Sequence, residues 1–132
     1  MKLITRDTDY AIRALVCIAG EKKNVVSVVG LSKKMNMPRA YLRKILQQLS
    51  KNKLLKSSKG KGGGFSLMCN PKKVTVFSLI EIFQGPFQLS EHVFKGKKCP
   101  KMKTCRLKKR LDEADKTLTQ KLKAITLLSL MK

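Results

Sequence analysis

The spacing of apolar positions predicts a helix over residues 7–20. Tyr10, Ala11, Ala14, Leu15 and Ile18 fall on one face at the helical period. Thr5 or Asp7 can cap the start of this helix, and Gly20 suits its end.

Two further helices follow in quick succession. A short one is expected from about residue 28 to 35, with Ser27 as its N-cap. Asn36-Met37-Pro38 then predicts a tight break, and Pro38 suits the first turn of a third helix because that turn does not need its missing N–H. The third helix is apolar at Leu42, Ile45, Leu46 and Leu49.

The pattern then changes to short extended segments. Residues 54–57 and 65–69 read as two strands, and the glycine-rich stretch 60–64 between them must turn. A β-hairpin is therefore expected, followed by a fourth helix over 76–83 that ends near Gly85-Pro86.

The last segment, residues 106–130, is expected to be one continuous helix of about 37 Å. Its apolar residues repeat close to every 3.5 positions, a spacing typical of helix pairing. These are Leu107, Leu111, Ala114, Leu118, Leu122, Ile125 and Leu128. We interpret the segment as a dimerisation helix; the alternative is a helix that packs back on its own subunit.

Three helices followed by a hairpin are the layout of a winged helix-turn-helix. The predicted fold class is therefore mainly α with a small β-hairpin wing (α+β), plus a long C-terminal dimerisation helix. Residues 1–85 are expected to form the DNA-binding domain, 86–105 a cysteine-containing ligand loop, and 106–132 the dimerisation helix.

Charge narrows the function. The 132 residues contain 30 Lys or Arg and 8 Asp or Glu, a net charge of +22. No acidic residue occurs from Lys22 to Ile80, where fourteen cations stand. Such a balance favours a polyanionic partner, nucleic acid before an anionic membrane, over a merely solvated basic surface.

Other classes are disfavoured by the same composition. There is no apolar run of 18 residues and charge appears at once at the start, so we expect neither membrane spanning nor secretion, and a cytoplasmic location. One His and eight carboxylates leave little material for acid–base catalysis, so we expect no enzyme.

The winged-helix layout assigns DNA contacts to two elements. The third helix is expected to enter the major groove, where base edges can be distinguished, and the wing to lie along the backbone or the minor groove. Arg39, Ala40 and Arg43 are the predicted base readers. The full set of predicted contacts is Ser27, Arg39, Ala40, Tyr41, Arg43, Lys44, Lys59, Lys61 and Gly62.

Three motifs together resemble the bacterial Rrf2 family over nearly the whole chain. They are Asp9-Tyr10-Ala11-Ile12-Arg13-Ala14-Leu15, Pro38-x-x-Tyr41-Leu42-x-x-Ile45-Leu46-x-x-Leu49, and Gly60-x-Gly62-Gly63-Gly64-Phe65-x-Leu67. The tail, with Cys99-Pro100, Cys105-Arg106-Leu107, Glu113-Ala114 and Thr126-Leu127, is similar to that family's cluster loop and dimer helix. The resemblance implies a homodimeric, cytoplasmic transcription regulator that binds duplex DNA, often with an iron–sulfur cluster between subunits.

The four cysteines divide into two pairs. Cys17 and Cys69 stand among apolar residues and are expected to be small buried side chains. Cys99 and Cys105 lie in a lysine-rich polar stretch, where positive charge favours the thiolate that metal ligation and redox chemistry both need. Two free loop thiols are the alternative reading.

The resemblance also suggests a ligand set. Cluster-binding members commonly use three loop cysteines, and His92 stands where the first would fall, seven residues before Cys99. Imidazole can replace thiolate on iron. Asp9 matches a carboxylate that some members contribute from the partner subunit, although it can also be a helix N-terminal acid. We therefore expect a metal site of Cys99, Cys105 and His92, completed by Asp9, that holds a 2Fe–2S or 4Fe–4S cluster.

The resulting prediction is a homodimeric, repressor-type regulator of a palindromic operator that senses redox state, nitric oxide or iron–sulfur status. The first alternative is a cluster-free regulator that responds to a thiol metabolite, with Cys99 and Cys105 as a redox pair. A non-specific nucleic-acid-binding protein and an iron–sulfur electron carrier are further alternatives.

Overall fold

The computed structural model describes residues 3–22, 24–87 and 105–131. Its elements are α1 (Arg6–Gly20), α2 (Val28–Met35), α3 (Arg39–Lys51), β1 (Leu55–Ser58), β2 (Gly64–Leu67), α4 (Val76–Gln84), α5 (Arg106–Ala124) and α6 (Leu127–Leu130). A mostly helical chain with one antiparallel hairpin confirms the predicted fold class. No helix within these ranges has the length and hydropathy needed to cross a bilayer.

The first three helices build the core. Ala11, Ala14 and Leu15 of α1 are completely buried, and the predicted apolar face of α3 is buried with them. Ser27 caps α2 as expected, its Oγ accepting from the backbone N–H of Gly30 at 3.0 Å. Asn36, in the left-handed conformation with φ 52°, ends that helix.

Pro38 lies one position earlier than expected. It occupies the N-cap of α3 with an extended ψ of 137°, so the first helical residue is Arg39. A proline in the first turn would have to be helical itself. At the N-cap its fixed φ of −59° suffices and no N–H is lost from the helix.

Besides its own two strands, the hairpin pairs with a third segment of the chain, at Val26, which the sequence did not indicate. Leu55 pairs with Leu67 and Ser57 with Phe65, so each strand differs by one or two residues from the predicted bounds. Phe65 also exchanges two backbone hydrogen bonds with Val26, of 2.8 and 2.9 Å. The residue before the α2 cap is thereby attached to the wing.

The C-terminal segment is not one helix, which corrects the prediction. It breaks after Ala124, and Thr126 forms an isolated bridge with Thr75. The Ile125 carbonyl accepts from the Val76 N–H at 3.0 Å, and the Leu127 N–H donates to Val74 at 2.8 Å. These bonds to the start of α4 and the burial of Leu127 replace the helical bonds that are lost. With 19 residues, α5 is about 28 Å long.

The apolar residues spaced along this segment do not all lie in the same environment. Leu122 is 5% exposed and packs with Val76 and Ile80 of α4. Leu107, at the other end of α5, is 67% exposed. One end of this row of apolar residues therefore packs on its own chain, as the alternative interpretation proposed, whereas the other faces solvent.

Candidate DNA-binding face

The third helix presents an uncovered polar side. Arg39, Ala40, Arg43 and Lys44 are all exposed, while Leu42 and the other apolar residues of α3 face the core. Four predicted contact residues thus share the free surface at the start of α3. An α-helix with such a face has the dimensions to enter a major groove.

Tyr41 stands apart from these neighbours. It is half-buried, its hydroxyl donates to the carboxylate of Asp7, and its ring meets Tyr10 edge-on with centroids 5.8 Å apart. Burial, followed by the hydrogen bond to Asp7, raises the pKa of Tyr41 to about 12. These contacts tie α3 to α1, whereas a DNA contact by Tyr41 stays a prediction.

The wing tip carries the other predicted contacts. Lys59, Lys61 and Gly62 are exposed at the turn between β1 and β2. Gly60 and Gly62 adopt φ of 90° and 77° with open space around them, so the backbone alone favours glycine there. The turn therefore projects two lysines on a thin backbone that can lie close to a duplex.

A groove connects the wing with the start of α2. Its volume is about 440 Å³, and Ser27, Gly30, Gly62 and Gly63 are among its lining residues. Predicted contacts from two separate segments, Ser27 and Gly62, therefore share one groove. Val26, which bridges to Phe65, also lines it.

The electrostatics of this face favour an anion. The salt bridges found among the described residues involve Arg13, Lys34, Lys108 and Arg110. Lys34 and its partner Glu21 line the groove beside α2, so the positive charge there is partly neutralised. The acid-free basic run is only partly gathered here, because Lys51, Lys72 and Lys73 lie on the end of α3 and on the turn before α4. The helix start and the wing tip remain positively charged and exposed, which suits duplex phosphates.

The predicted ligands are only partly described. His92 and Cys99 lie outside the described residues, as does most of the 86–105 segment. Cys105 caps α5, its sulfur accepting from the Lys108 N–H at 3.4 Å. Asp9 forms a 3.0 Å ion pair with Arg13 on the first turns of α1. No three His, Cys, Asp or Glu side chains come together among residues 3–22, 24–87 and 105–131, so the metal site stays a prediction.

The other two cysteines are half-buried rather than fully buried. Both pack against the hydrophobic core, and burial raises the pKa of the Cys69 thiol. The prediction that both cysteines pack with apolar residues is therefore right, but the prediction that they are buried overstates their burial.

Sequence reasoning missed two polar residues that join the helices. Asp7 bonds Tyr41 across 34 positions of the chain, and Gln84 bonds Thr8 across 76. No local pattern indicates contacts of that range. In the sequence alone, an Asp or a Gln at a helix end indicates only a cap or a solvated side chain.

The three-helix core, the exposed start of α3 and the glycine-rich hairpin define a winged helix-turn-helix protein. A model of the Rrf2 family, described as an iron-dependent transcriptional regulator, matches residues 4–132. The chain therefore belongs to the Rrf2 family. It is a transcription regulator rather than an enzyme, as expected.

Individual relatives agree with this assignment. A putative HTH-type transcriptional regulator of Aquifex aeolicus is 34% identical over 68% of this chain and 62% of its own length. The HTH-type transcriptional regulator NsrR of Bacillus licheniformis is 29% identical over 86% of the chain and 80% of the relative. Among solved structures, CymR, the global cysteine regulator of Bacillus subtilis, shares the fold with a TM-score of 0.79 at 21% identity, over 98% of this chain and 96% of CymR.

Proposed function

We propose that this regulator is a cytoplasmic homodimer of the repressor type that binds a palindromic operator through α3 and the wing. The observation that carries the proposal is the exposed cationic surface formed by the start of α3 and the hairpin tip. Two such surfaces related by a two-fold axis suit half-sites about one helical turn apart.

Self-association is supported by the free end of α5. Leu107 is 67% exposed and Leu111 is half-buried, which leaves an apolar strip beyond the part of α5 that packs on α4. A second copy of the helix can cover such a strip.

For the signal, we propose a site at Cys99, Cys105 and His92, with Asp9 from the partner. Cys105 supports it because it is a free, half-buried thiol at the start of α5, and the family is described as iron-dependent. An iron–sulfur cluster held there would supply a centre that gains and loses electrons. The state of this site biases the relative position of the two DNA-binding domains in the dimer. It thereby changes the affinity of the dimer for its operator.

The second candidate is a cluster-free regulator in which Cys99 and Cys105 respond to oxidants or thiol metabolites. It is favoured by the missing third cysteine. Fold similarity to a cysteine regulator is compatible with it.

DNA recognition is tested by comparing Arg43→Ala and Lys61→Ala on two duplexes. One is enriched by the wild-type protein from a random pool, and the other has an unselected sequence. Arg43→Ala is expected to weaken binding to the enriched duplex by about 5- to 150-fold, equivalent to 1–3 kcal/mol, with little change on the other. Lys61→Ala is expected to weaken both and to lower the salt slope by about one.

Lys116→Ala, on the exposed side of α5, is the matched control and leaves both affinities unchanged. Equal losses on both duplexes for Arg43→Ala and Lys61→Ala contradict the division of roles. Binding that never distinguishes the duplexes, and that disappears steeply with salt, points to non-specific association instead.

Anaerobic purification separates the two signalling candidates. A cluster gives coloured, iron-containing protein, and colour and iron are lost in the Cys99→Ala/Cys105→Ala variant but kept in Cys17→Ala. Colourless, iron-free wild-type protein from iron-replete cells contradicts the cluster and leaves the thiol pair.

A further inference from the structure

The last residue of α4 clamps the start of α1. The Gln84 Oε1 accepts from the backbone N–H of Thr5 at 3.0 Å and from the Thr8 hydroxyl at 2.7 Å. The Gln84 Nε2 donates to the Leu3 carbonyl at 3.1 Å. A single amide thus binds the first turn of α1 at Thr8, its N-cap at Thr5 and the preceding chain at Leu3.

The chemistry of the clamp requires a primary amide. A backbone N–H can only donate and a carbonyl can only accept, so Thr5 and Leu3 together fix which end of the Gln84 amide faces which group. Thr8 is completely buried, and its hydroxyl donates to the Gln84 oxygen and also lies 3.2 Å from the Thr5 hydroxyl. A carboxylate keeps the two acceptor contacts but loses the donor, and a methionine of similar size loses all three.

The same turn of α1 carries the bond to the third helix. Asp7 lies between Thr5 and Thr8 and accepts from Tyr41, while Tyr10 packs against the Tyr41 ring. The first turn of α1 therefore lies between the end of α4 and the start of α3.

Helix α3 is held differently at its other end. The Gln48 side chain donates directly to the Ile82 carbonyl of α4 at 3.0 Å. Near its C-terminal end α3 therefore has a direct hydrogen bond to α4, whereas its N-terminal turn, which carries Arg39 and Arg43, is bonded to α1 through Tyr41. If the first turn of α1 shifts, the bond from Asp7 carries the shift to Tyr41 on the N-terminal turn of α3.

We propose that Gln84 is a positioning residue for DNA recognition, which sets the place of the α3 N-terminal turn through the first turn of α1, Asp7 and Tyr41. The inference rests on the proposed DNA-binding function. It assigns to Gln84 a role at a distance, since its bonds are to α1 and not to α3.

Binding experiments use the full chain as wild type, Gln84→Met, Tyr41→Phe and the double variant. The probe is the duplex that the wild-type protein enriches from a random pool. Each single variant is expected to lower affinity about five- to twentyfold, with less than a twofold change on an unselected duplex. The double variant is expected to be no weaker than the worse single one, because both changes interrupt the same connection. Gln120→Met, exposed on α5, is the control.

A second measurement does not depend on DNA. The chain has two tyrosines and no tryptophan, so Tyr10→Phe leaves Tyr41 as the only emitter and keeps the ring at position 10. A carboxylate that accepts from a tyrosine hydroxyl quenches its emission. Adding Gln84→Met in this background is expected to raise the emission and to lower the pKa of Tyr41 from about 12 toward 10. Gln84→Glu, which keeps two of the three contacts, gives a smaller change in the same direction and serves if Gln84→Met does not fold.

The outcomes are separable. Unchanged Tyr41 emission in folded Gln84 variants overturns the proposal, as do fully additive losses of affinity in the double variant. If the wild-type protein enriches no sequence at all, the DNA-binding proposal fails, and the emission still decides whether Gln84 positions Tyr41.

Discussion

Replacing Gly64 by alanine tests the attachment of the wing to the helix-turn-helix. Gly64 has φ 155° and lies where the chain passes Val26. A Cβ at this position would stand 2.8 Å from the Val26 carbonyl carbon and 3.0 Å from the Ser27 Cα. All these neighbours are backbone atoms, which cannot rotate away.

The expected loss of stability follows from the contacts that must break to make room for the Cβ. Relief of the contact separates Val26 from Phe65 and breaks their two hydrogen bonds, each worth a net of about 0.5–1.5 kcal/mol. Backbone strain that is not relieved adds about 1–3 kcal/mol. We expect Gly64→Ala to lower the free energy of unfolding by about 3 kcal/mol. That corresponds to a fall in Tm of about 10 °C for a domain of this size.

Urea unfolding followed by circular dichroism measures the effect. The control is Gly20→Ala at the end of α1, where a Cβ meets nothing within 4 Å. Because alanine is the better helix former, this control is expected to be neutral or stabilising by up to about 1 kcal/mol. A Gly64→Ala protein within about 0.5 kcal/mol of wild type would refute the close-approach argument.

Three further predictions concern other contacts. Leu122→Ala is expected to lower the free energy of unfolding, measured in urea, by about 2–5 kcal/mol. Leu107→Ala is expected to leave that free energy within about 0.5 kcal/mol of wild type and to weaken self-association, measured by sedimentation. Equal losses of stability in the two variants would contradict this. Because the pKa of folded Tyr41 lies at about 12 against an ordinary 10.0, its stabilising contribution is present below pH 10 and is lost as pH rises toward 12. The stability difference between wild type and Tyr41→Phe should therefore narrow over that interval, and a constant difference would count against it. Thr126→Ala removes the side chain that caps α6 and is expected to cost about 0.5–2 kcal/mol; an unchanged urea midpoint would show that the cap is dispensable.

Sequence patterns predicted most of the helices and strands because caps and apolar spacing lie within or beside the element that they determine. The bounds of α2 follow from Ser27 and Asn36, a cap and a residue that tolerates the left-handed conformation. The buried face of α3 follows from its apolar spacing. Both signals lie within a few residues of the feature they determine.

The errors arise where distant segments compete with local preference. Apolar spacing continues through Ile125, so it indicates one helix, but Thr126 instead pairs with Thr75 about fifty positions earlier. The signal that could have found the break is Thr126 three residues before Ser129, the same kind of cap that starts α4 at Thr75 and Ser78.

The candidate site shows the same division. The exposure of Arg39 and Arg43 follows from helical spacing, and that of Lys61 from the glycine turn. That Tyr41 binds Asp7 and Gln84 binds Thr8 depends on how α1 docks against α3 and α4, which periodicity within one helix does not encode.

The Val26–Phe65 bridge has a consequence for the partner as well as for the protein. It joins the hairpin to the residue before α2, which constrains the position of the wing relative to the helix-turn-helix. In a complex of the kind proposed, a duplex whose grooves do not already match that spacing would have to bend or narrow to meet both elements. Easily kinked pyrimidine–purine steps between the contacted bases would then lower the cost of binding, and sequence would matter at base pairs that no side chain touches.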